Sequence, residues 1–188
     1  EQLFGSYGPD NLTGADALLV RVGSYFHDIG KIAKPAFYIE NQMGAENPHD
    51  RLDPDASAKM VSEHVRAGMK LTARHRIPAR VRAFVPEHHG TRLVTYFYRK
   101  ASAADPTVAP ERFRYPGPKP QSKETAMVML AASVEAVVRA SKDRSHERID
   151  ELVDGVINER VTEGQLDECD LTLRDLRTVA ESFKATLR

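Results

Sequence analysis

Residues 24–35 read SYFHDIGKIAKP and place a histidine and an aspartate, His27 and Asp28, directly behind two aromatic rings. Ionised groups beside apolar neighbours cost free energy unless they are paired or bind a metal. Two interpretations fit this stretch alone. Either a helix ends here with Asp28 exposed and His27 packed, or the pair is part of a metal site.

The overall charge is balanced, because the 188 residues include 27 acidic and 27 basic side chains. That balance argues against a general nucleic-acid-binding protein, which carries a basic excess, but it leaves room for a small anionic ligand. The single cysteine, Cys169, excludes an internal disulfide and a metal site built from several cysteines. This cysteine usage makes a reducing cytoplasm the expected compartment. No run of 18 apolar residues is present, so we expect no membrane-spanning helix in this sequence.

Apolar residues recur at helical spacing along most of the chain and predict an all-α fold. Asp16 or Thr13 lies near the start of the first predicted helix. Asp53 followed by Pro54 is a helix start signal, and Thr172 with Asp175 resembles a capping box. We predict helices over these stretches: 15–31, 53–75, 79–90, 92–104, 123–141, 146–164 and a last one from 172.

Two segments bear on domain organisation. The chain opens with EQLFGSYG and no methionine, so we expect residue 1 to lie within a helix whose earlier turns are missing. Residues 105–122 are rich in proline and could be a linker between two domains. A disordered linker normally lacks aromatic residues, whereas this one holds Phe113 and Tyr115, so we favour an ordered loop packed near a site. We therefore interpret residues 1–188 as a single domain.

The histidines are placed where a metal site would need them. Imidazole and carboxylate together suit divalent iron, manganese, zinc and similar metals. Adjacent helical residues diverge by about 100°, so His88 and His89 can reach one site only from a helix end. We interpret His75 and His146 as surface or satisfied side chains. The candidate ligands fall in three segments, with Asp28 as the natural bridge between two cations: His27, Asp28, His64, His88 and His89.

The succession HD at 27–28, H at 64 and HH at 88–89 resembles the HD-domain metallophosphohydrolase superfamily. The segments YFHDIGK, ENQ with NPHD at 47–50, EHHGT with YFYRKA, and FRYPGPKPQSKE resemble one branch, the seven-transmembrane HD (PgpH-type) cyclic-di-AMP phosphodiesterases. This resemblance runs from about Leu18 to residue 176. The related cyclic-di-GMP enzymes carry a GYP signature after their double histidine, and HHGTRL here disfavours that branch.

The resemblance implies an HD-domain helical bundle with a proline-rich loop insertion at 105–122, forming the cytoplasmic domain of a protein that is anchored in the plasma membrane. It implies hydrolysis of cyclic di-AMP to linear pApA at two divalent metal ions. Iron or manganese is expected first, with zinc, nickel or magnesium as alternatives. We expect no nucleic-acid partner and no membrane contact by this part of the chain, and we leave a homo-oligomer open.

The same resemblance assigns roles around the metals. Lys31 is assigned to a substrate phosphate and, together with Asp28, to the catalytic centre; a solvated helix-end cation is the alternative for it. The ring of Tyr98 could stack on adenine, although such a ring is more often part of a core. The substrate-binding candidates are Lys31, Asn41, Thr91, Tyr98 and Arg114.

Two departures from the family pattern bear on activity. No histidine precedes His27, whereas the family has an upstream metal histidine, which we attribute to truncation. Ala132 stands where the family carries an aspartate ligand, and Glu135, one turn away, could substitute. Three hypotheses result: a phosphodiesterase impaired at Ala132, a degenerate HD domain that binds the cyclic dinucleotide as a signalling module, or a nucleotide phosphohydrolase of the broader superfamily.

Overall fold

A computed structural model describes residues 14–42 and 46–188. Within them the regular elements are helices joined by turns and loops, and β structure is limited to one isolated bridge between Leu93 and Arg114. The all-α prediction is confirmed, and the expectation that residue 1 lies in a helix falls outside the described residues. Eight α-helices lie within these residues: α1 Ala17–Phe26, α2 Pro54–Arg74, α3 Ala79–Arg82, α4 Phe84–Glu87, α5 Thr95–Ala104, α6 Lys123–Ala140, α7 His146–Thr162 and α8 Leu173–Leu187. Short 3₁₀ helices lie at Ile29–Ala33, Pro35–Phe37, Ile39–Asn41, Pro48–Arg51 and Pro110–Phe113.

Side chains cap the helix starts that the sequence indicated. The Asp53 carboxylate accepts a hydrogen bond from the amide of Ala56 (2.8 Å), just ahead of the first turn of α2. Thr172 and Asp175 form a reciprocal capping box at the start of α8, and Asp16 caps α1. Each of these bonds satisfies an amide that has no partner within its own helix.

The first predicted helix, 15–31, is shorter than expected. After α1 the chain turns at His27 and Asp28 and continues as a 3₁₀ helix. Its backbone lies directly against α2, since a Cβ atom on Gly30 would sit 1.9 Å from the carbonyl oxygen of His64. Lys31 therefore leaves from this 3₁₀ helix, not from the next turn of the α-helix that carries His27.

Two further helices differ from the bounds that the sequence predicted. The stretch 79–90 divides into α3 and α4, and α5 begins at Thr95 instead of residue 92. The later start of α5 has a long-range cause, because the amide of Val94 donates a 2.7 Å hydrogen bond to the carbonyl of Phe113 in the proline-rich segment.

Helix α6 is the centre of the main core. Residues 126–131 are buried completely, and α6 packs against α1, α4 and α7, while α7 packs against α8. A second, smaller core joins α2, α5 and the proline-rich loop through Ala58, Phe97 and Phe113. Across residues 14–42 and 46–188, none of the helices combines the length and the apolar character needed to cross a bilayer.

Candidate metal centre

Three separate segments bring ligand side chains to one point. Asp28 lies in the turn after α1, His64 comes from the middle of α2, and His88 and His89 follow the end of α4. One ligand atom of each of these four residues lies within 4.8 Å of the others. Because α4 ends at Glu87, the two adjacent histidines approach the cluster from a helix end, as their spacing requires.

At the centre of the cluster, buried polar atoms face one another without a donor between them. Asp28 Oδ1 lies 3.4 Å from Nε2 of His64 and 3.5 Å from Nε2 of His88. Among the described residues these three buried atoms have no hydrogen-bond partner. Partnerless buried atoms are rare in folded proteins, and where they occur they often face the position of a bound ion.

The other ring nitrogen of each histidine fixes the tautomer. Nδ1 of His64 lies 2.7 Å from the carbonyl oxygen of Val61, and Nδ1 of His88 lies 2.9 Å from that of Phe84. A carbonyl can only accept, so Nδ1 carries the proton and donates, which leaves the Nε2 lone pair pointing at Asp28. Such backbone-anchored imidazoles are typical of metal ligands, and the residues present fit a divalent cation.

Electrostatics favour the metal-binding protonation states. Burial, followed by the nearby charge of His88, lowers the pKa of His64 to about 4. Burial also lowers the pKa of His88, and it lowers that of His89 well below its ordinary value. Burial alone would raise the pKa of Asp28, but its contact with His27 holds it well below its usual range. Neutral imidazoles around an ionised carboxylate are the forms that bind metal.

The fifth predicted ligand, His27, lies on the other side of the carboxylate. Its Nε2 is 3.2 Å from Asp28 Oδ2, and its Nδ1 lies 2.7 Å from the carbonyl oxygen of Ser24. Its ring meets that of His88 edge-on at 4.8 Å between centroids. Asp28 thus presents one oxygen to His64 and His88 and the other to His27.

Lys31 is held close to the cluster by two carboxylates. Its Nζ lies 2.7 Å from Asp28 Oδ2 and also contacts Glu40, and it sits 5.2 Å from the ring centroid of Tyr38. Burial would lower the pKa of Lys31, but the charge of Asp28 and the hydrogen bond to it raise the pKa overall. The alternative role for Lys31, a solvated cation at a helix end, therefore does not fit the structure. Its contact with a substrate phosphate stays a prediction.

A cavity of about 440 Å³ opens onto the cluster and has the size of a small-molecule site. Its wall combines aromatic rings with a few charged and polar groups. Among the lining residues are Lys31, Tyr38, Glu40, His64, His89, Tyr96, Phe97 and Tyr115.

Sequence reasoning missed Tyr115 as a site residue. Its ring stacks on His89 with centroids 3.9 Å apart and planes 12° from parallel. The proline-rich loop therefore forms part of the wall of the site, and its next-but-one neighbour Phe113 is buried in the second core. The sequence feature that could have identified Tyr115 is the pairing of aromatic residues with arginines in this loop.

The weaker substrate-binding candidates have local partners instead. Asn41 and Arg114 donate hydrogen bonds to backbone carbonyls at 3.3 Å and 3.0 Å. The amide of Thr91 donates to the side chain of Gln165 (3.0 Å), and Tyr98 packs against the second core. None of the four candidates is among the residues that line the cavity, so their role in nucleotide binding stays a prediction.

Glu87 is a further residue that the sequence did not single out. Its carboxylate is buried and accepts hydrogen bonds from Thr125 Oγ1 (2.6 Å) and from the amide of Gln121 (2.8 Å). Burial raises its pKa against the effect of these bonds. Glu87 thereby ties the segment before the double histidine to the start of α6.

Helix α6 offers no carboxylate at the position that resembles a ligand. Ala132 is half-buried, and its neighbour Ser133 accepts a 2.9 Å hydrogen bond from Arg92. Glu135 is exposed and bound to Arg139 at 2.7 Å, so the structure does not support the suggestion that it substitutes as a ligand.

Comparison with known proteins identifies the family of this chain. A family model described as the HD domain matches residues 2–137. The cyclic-di-AMP phosphodiesterase PgpH of Bacillus subtilis (strain 168) is 45% identical over 93% of this chain and 25% of its own length. PgpH of Listeria monocytogenes serotype 1/2a (strain 10403S) is 41% identical over 93% of this chain and 24% of its own length. The chain thus spans about a quarter of the length of these curated relatives.

Solved structures extend the comparison to three dimensions. The HD domain of L. monocytogenes PgpH in complex with cyclic di-AMP matches with a TM-score of 0.93 at 39% identity, covering 99% of this chain and 86% of that one. A second crystal structure of the same domain matches with a TM-score of 0.91. The chain belongs to the HD domain family.

Proposed function

We propose that this chain is a divalent-metal-dependent phosphodiesterase that hydrolyses cyclic di-AMP to linear pApA. The observation that carries the proposal is the convergence of three buried, partnerless atoms, Asp28 Oδ1, His64 Nε2 and His88 Nε2, at the edge of a nucleotide-sized cavity. The names of the two PgpH relatives and the ligand of the matching HD-domain structure supply the substrate.

We assign two metal ions to the site, iron or manganese first and zinc, nickel or magnesium as alternatives. The two oxygens of Asp28 face different histidines, which suits a carboxylate shared by two cations. When bound, such ions polarise a phosphoryl oxygen and lower the pKa of a water molecule. The proposed ligands are His27, Asp28, His64, His88 and His89.

The remaining residues bind and orient the nucleotide. Tyr115 and the exposed ring of Tyr96 offer aromatic faces at the cavity, and bases stack on such faces without sequence preference. Lys31 can reach a phosphate by exchanging one of its two carboxylate contacts, with Asp28 or Glu40, for a phosphate oxygen.

We also propose that residues 1–188 act as one HD domain of a longer protein, which is anchored in the membrane and faces the cytoplasm. The support is that the curated relatives are about four times longer than the part they share with this chain. No nucleic-acid partner is proposed, because the charges balance, and a homo-oligomer is compatible with this arrangement.

The test is to incubate the purified protein with cyclic di-AMP and manganese or ferrous iron, and to separate the products by chromatography. We expect the linear dinucleotide from the wild type and none from Asp28→Ala. Metal that binds without any nucleotide binding would contradict the proposal.

A second candidate, a domain that binds cyclic di-AMP but cleaves it slowly or not at all, is favoured by one observation. Helix α6 presents Ala132 next to Ser133, and Glu135 is held by Arg139 on the surface. An alanine cannot donate to a cation, so one ion would lack an anionic ligand. Ala132→Asp should then raise metal content and increase turnover by at least about tenfold. Unchanged values would mean that position 132 does not face the metals.

A further inference from the structure

The stretch 64–86 carries six basic residues and no acidic one, although the charges of the whole chain balance. On α2, Arg66, Lys70 and Arg74 follow one another at intervals of four and therefore form one row along the helix. All three are exposed, and Arg66 has one distant contact, 3.9 Å, with Glu63. Within the part of the chain that the structure describes, no carboxylate oxygen lies within 4.0 Å of the side-chain nitrogen atoms of Lys70 or Arg74. This row can therefore contact an anionic partner.

An apolar pocket of about 360 Å³ lies beside the basic row. Leu71 and His75 line the pocket one turn apart, and each directly follows a member of the row, Lys70 or Arg74, so the two rows are neighbours on α2. The hydroxyl of Thr72 is turned to a carbonyl of its own helix at 2.8 Å, which leaves the wall almost wholly apolar. The other lining residues are Phe26, Ile29 and Ile77, and none of the six lines the cavity at the metal cluster.

Helix α2 ends in a motif that normally contains glycine. The amide of Arg76 donates to the carbonyl of Ala73 and the amide of Ile77 to that of Thr72, both at 3.0 Å, which is the hydrogen-bond pattern of a Schellman motif. Arg76 has a φ of 54° and is, among the described residues, the one residue other than glycine with a positive φ. A side chain costs free energy in this left-handed region. In return, Arg76 brings an exposed cation to the pocket, because its neighbours His75 and Ile77 both line it.

We propose that this face, the α2 docking surface, binds an acidic peptide segment of a partner protein. The surface consists of the pocket and three exposed cations beside it, Lys70, Arg74 and Arg76. An apolar side chain of the segment enters the pocket, and its carboxylates bind the three cations. This function also gives a reason for the strained backbone at Arg76, since strain persists where a side chain is needed for function.

Charge and shape together select this partner. The positive charge is concentrated in one stretch of a chain that is otherwise balanced, so it complements an acidic segment and not a second basic surface. The apolar part is concave, and a pocket of this kind is filled by an anchoring side chain of a peptide. A bilayer surface is instead bound by apolar side chains that protrude from the protein.

The first test measures binding of short, fluorescein-labelled peptides by fluorescence anisotropy. Each peptide in the set is rich in glutamate and aspartate and has phenylalanine, leucine or methionine at its centre. One control replaces the central residue by serine, and the other replaces the acids by their amides. We expect the wild type to bind members of the set at least about tenfold more tightly than either control, and to bind them more weakly as salt is added. If no peptide binds in this way, the inference is wrong.

The second test separates the charge of Arg76 from its backbone strain. Arg76→Gly removes both, so denaturant unfolding should show a more stable protein that binds the peptides at least about tenfold more weakly. Arg74→Ala should weaken binding as well, whereas Arg99→Ala, which removes an exposed arginine from α5, should bind as the wild type does. Metal content of all three variants should equal that of the wild type. An Arg76→Gly protein that gains stability and keeps its peptide affinity would overturn the inference.

Two other occupants of the α2 docking surface are tested with the same variants. Cosedimentation with phosphatidylglycerol vesicles tests a membrane surface, and light scattering tests a second copy of the chain. We expect neither vesicle binding nor self-association to depend on Arg74 or Arg76. Vesicle binding or self-association that both Arg74→Ala and Arg76→Gly abolish, in a protein that binds none of the peptides, would assign the surface to that occupant and contradict the proposal.

Discussion

The turn after α1 and the start of α8 each hold an aspartate, and the two differ in what faces the carboxylate. Asp175 accepts hydrogen bonds from the amide of Thr172 (3.0 Å) and from Lys123 Nζ (3.1 Å). Asp28 Oδ1 faces the unprotonated nitrogens of two buried imidazoles and has no donor of its own. Both carboxylates contact a lysine, but Asp175 is complete within the fold, whereas Asp28 keeps one oxygen, Oδ1, without a partner.

This difference separates stability from function. Residues at the start of α8 satisfy amides and balance a charge, so changes there should alter the free energy of unfolding and leave the metal in place. At the turn after α1 it is Asp28 Oδ1 that has no hydrogen-bond partner, so a change of this residue should act first on metal binding.

The largest effect should come from Asp28→Ala. Removing the carboxylate of the four-residue cluster takes away the charge that both proposed cations share, so metal content by elemental analysis should fall to background. Asp175→Ala is the matched control and should keep its metal. If Asp28→Ala kept its full metal content, the claim that Asp28 and Asp175 differ in metal binding would be wrong.

Loss of single histidines should follow. His88→Ala and His89→Ala should each lower metal affinity by more than the roughly 10–100-fold that a supporting residue costs. His75→Ala changes an exposed ring and should leave affinity as it was. Similar losses for all three variants would indicate a folding effect instead of ligation.

The contrast between the regions extends to two glycines. Gly30→Ala drives a Cβ into the backbone of α2, 1.9 Å from the His64 carbonyl oxygen, whereas a Cβ at Gly155 in α7 meets nothing within 4 Å. Gly30→Ala should therefore lower the free energy of unfolding by about 1–3 kcal/mol and displace Asp28. Gly155→Ala should raise it by about 0.5–1 kcal/mol. Denaturant unfolding of both variants checks the pair, and equal effects would contradict the close packing at Gly30.

Lys31→Ala tests whether a residue in the turn can contact the ligand without holding the metal. One charge-assisted phosphate contact is worth about 1.5–3 kcal/mol, so cyclic di-AMP affinity by calorimetry should fall about tenfold or more at unchanged metal content. Unchanged affinity would restrict Lys31 to neutralising Asp28 and Glu40.

The smallest effect concerns pH. Hydrogen bonds with the backbone of Thr172, then the contact with Lys123, lower the pKa of Asp175 below its ordinary value of 3.8. The stabilisation is therefore present above that value and is lost as the pH falls through the lower, folded-state pKa. Asp175→Asn should be less stable than wild type by about 0.5–1 kcal/mol at pH 7, with the gap closing at acidic pH. A gap that persists unchanged in acid would assign the effect to packing.

The sequence predicted the features that depend on residues close together along the chain. The caps at Asp53 and Thr172 act within one turn, and periodicity alone indicated the helices that follow them. The length of α1 could not be predicted in this way, because the turn after it is set by contact between Gly30 and a helix that lies dozens of residues away. The stack of Tyr115 on His89 is likewise a tertiary contact.

The candidate metal ligands were predicted for a different reason. The spacing placed His64 and the double histidine on predicted helices or at their ends, and nothing more. The resemblance to the HD family grouped them with Asp28. The same resemblance pointed to Tyr98 as a stacking ring, but the structure places Tyr98 in the second core and puts Tyr115 at the cavity. Aromatic side chains suit both environments, so residue type alone does not distinguish them.

Anomalous X-ray diffraction from crystals grown with manganese or ferrous iron tests the central claim most directly. The proposed metal centre predicts a strong anomalous peak within bonding distance of Asp28 Oδ1, His64 Nε2 and His88 Nε2, the three buried atoms that lack partners. Metal-loaded crystals with no peak at these atoms, or with the peak elsewhere in the domain, would contradict it.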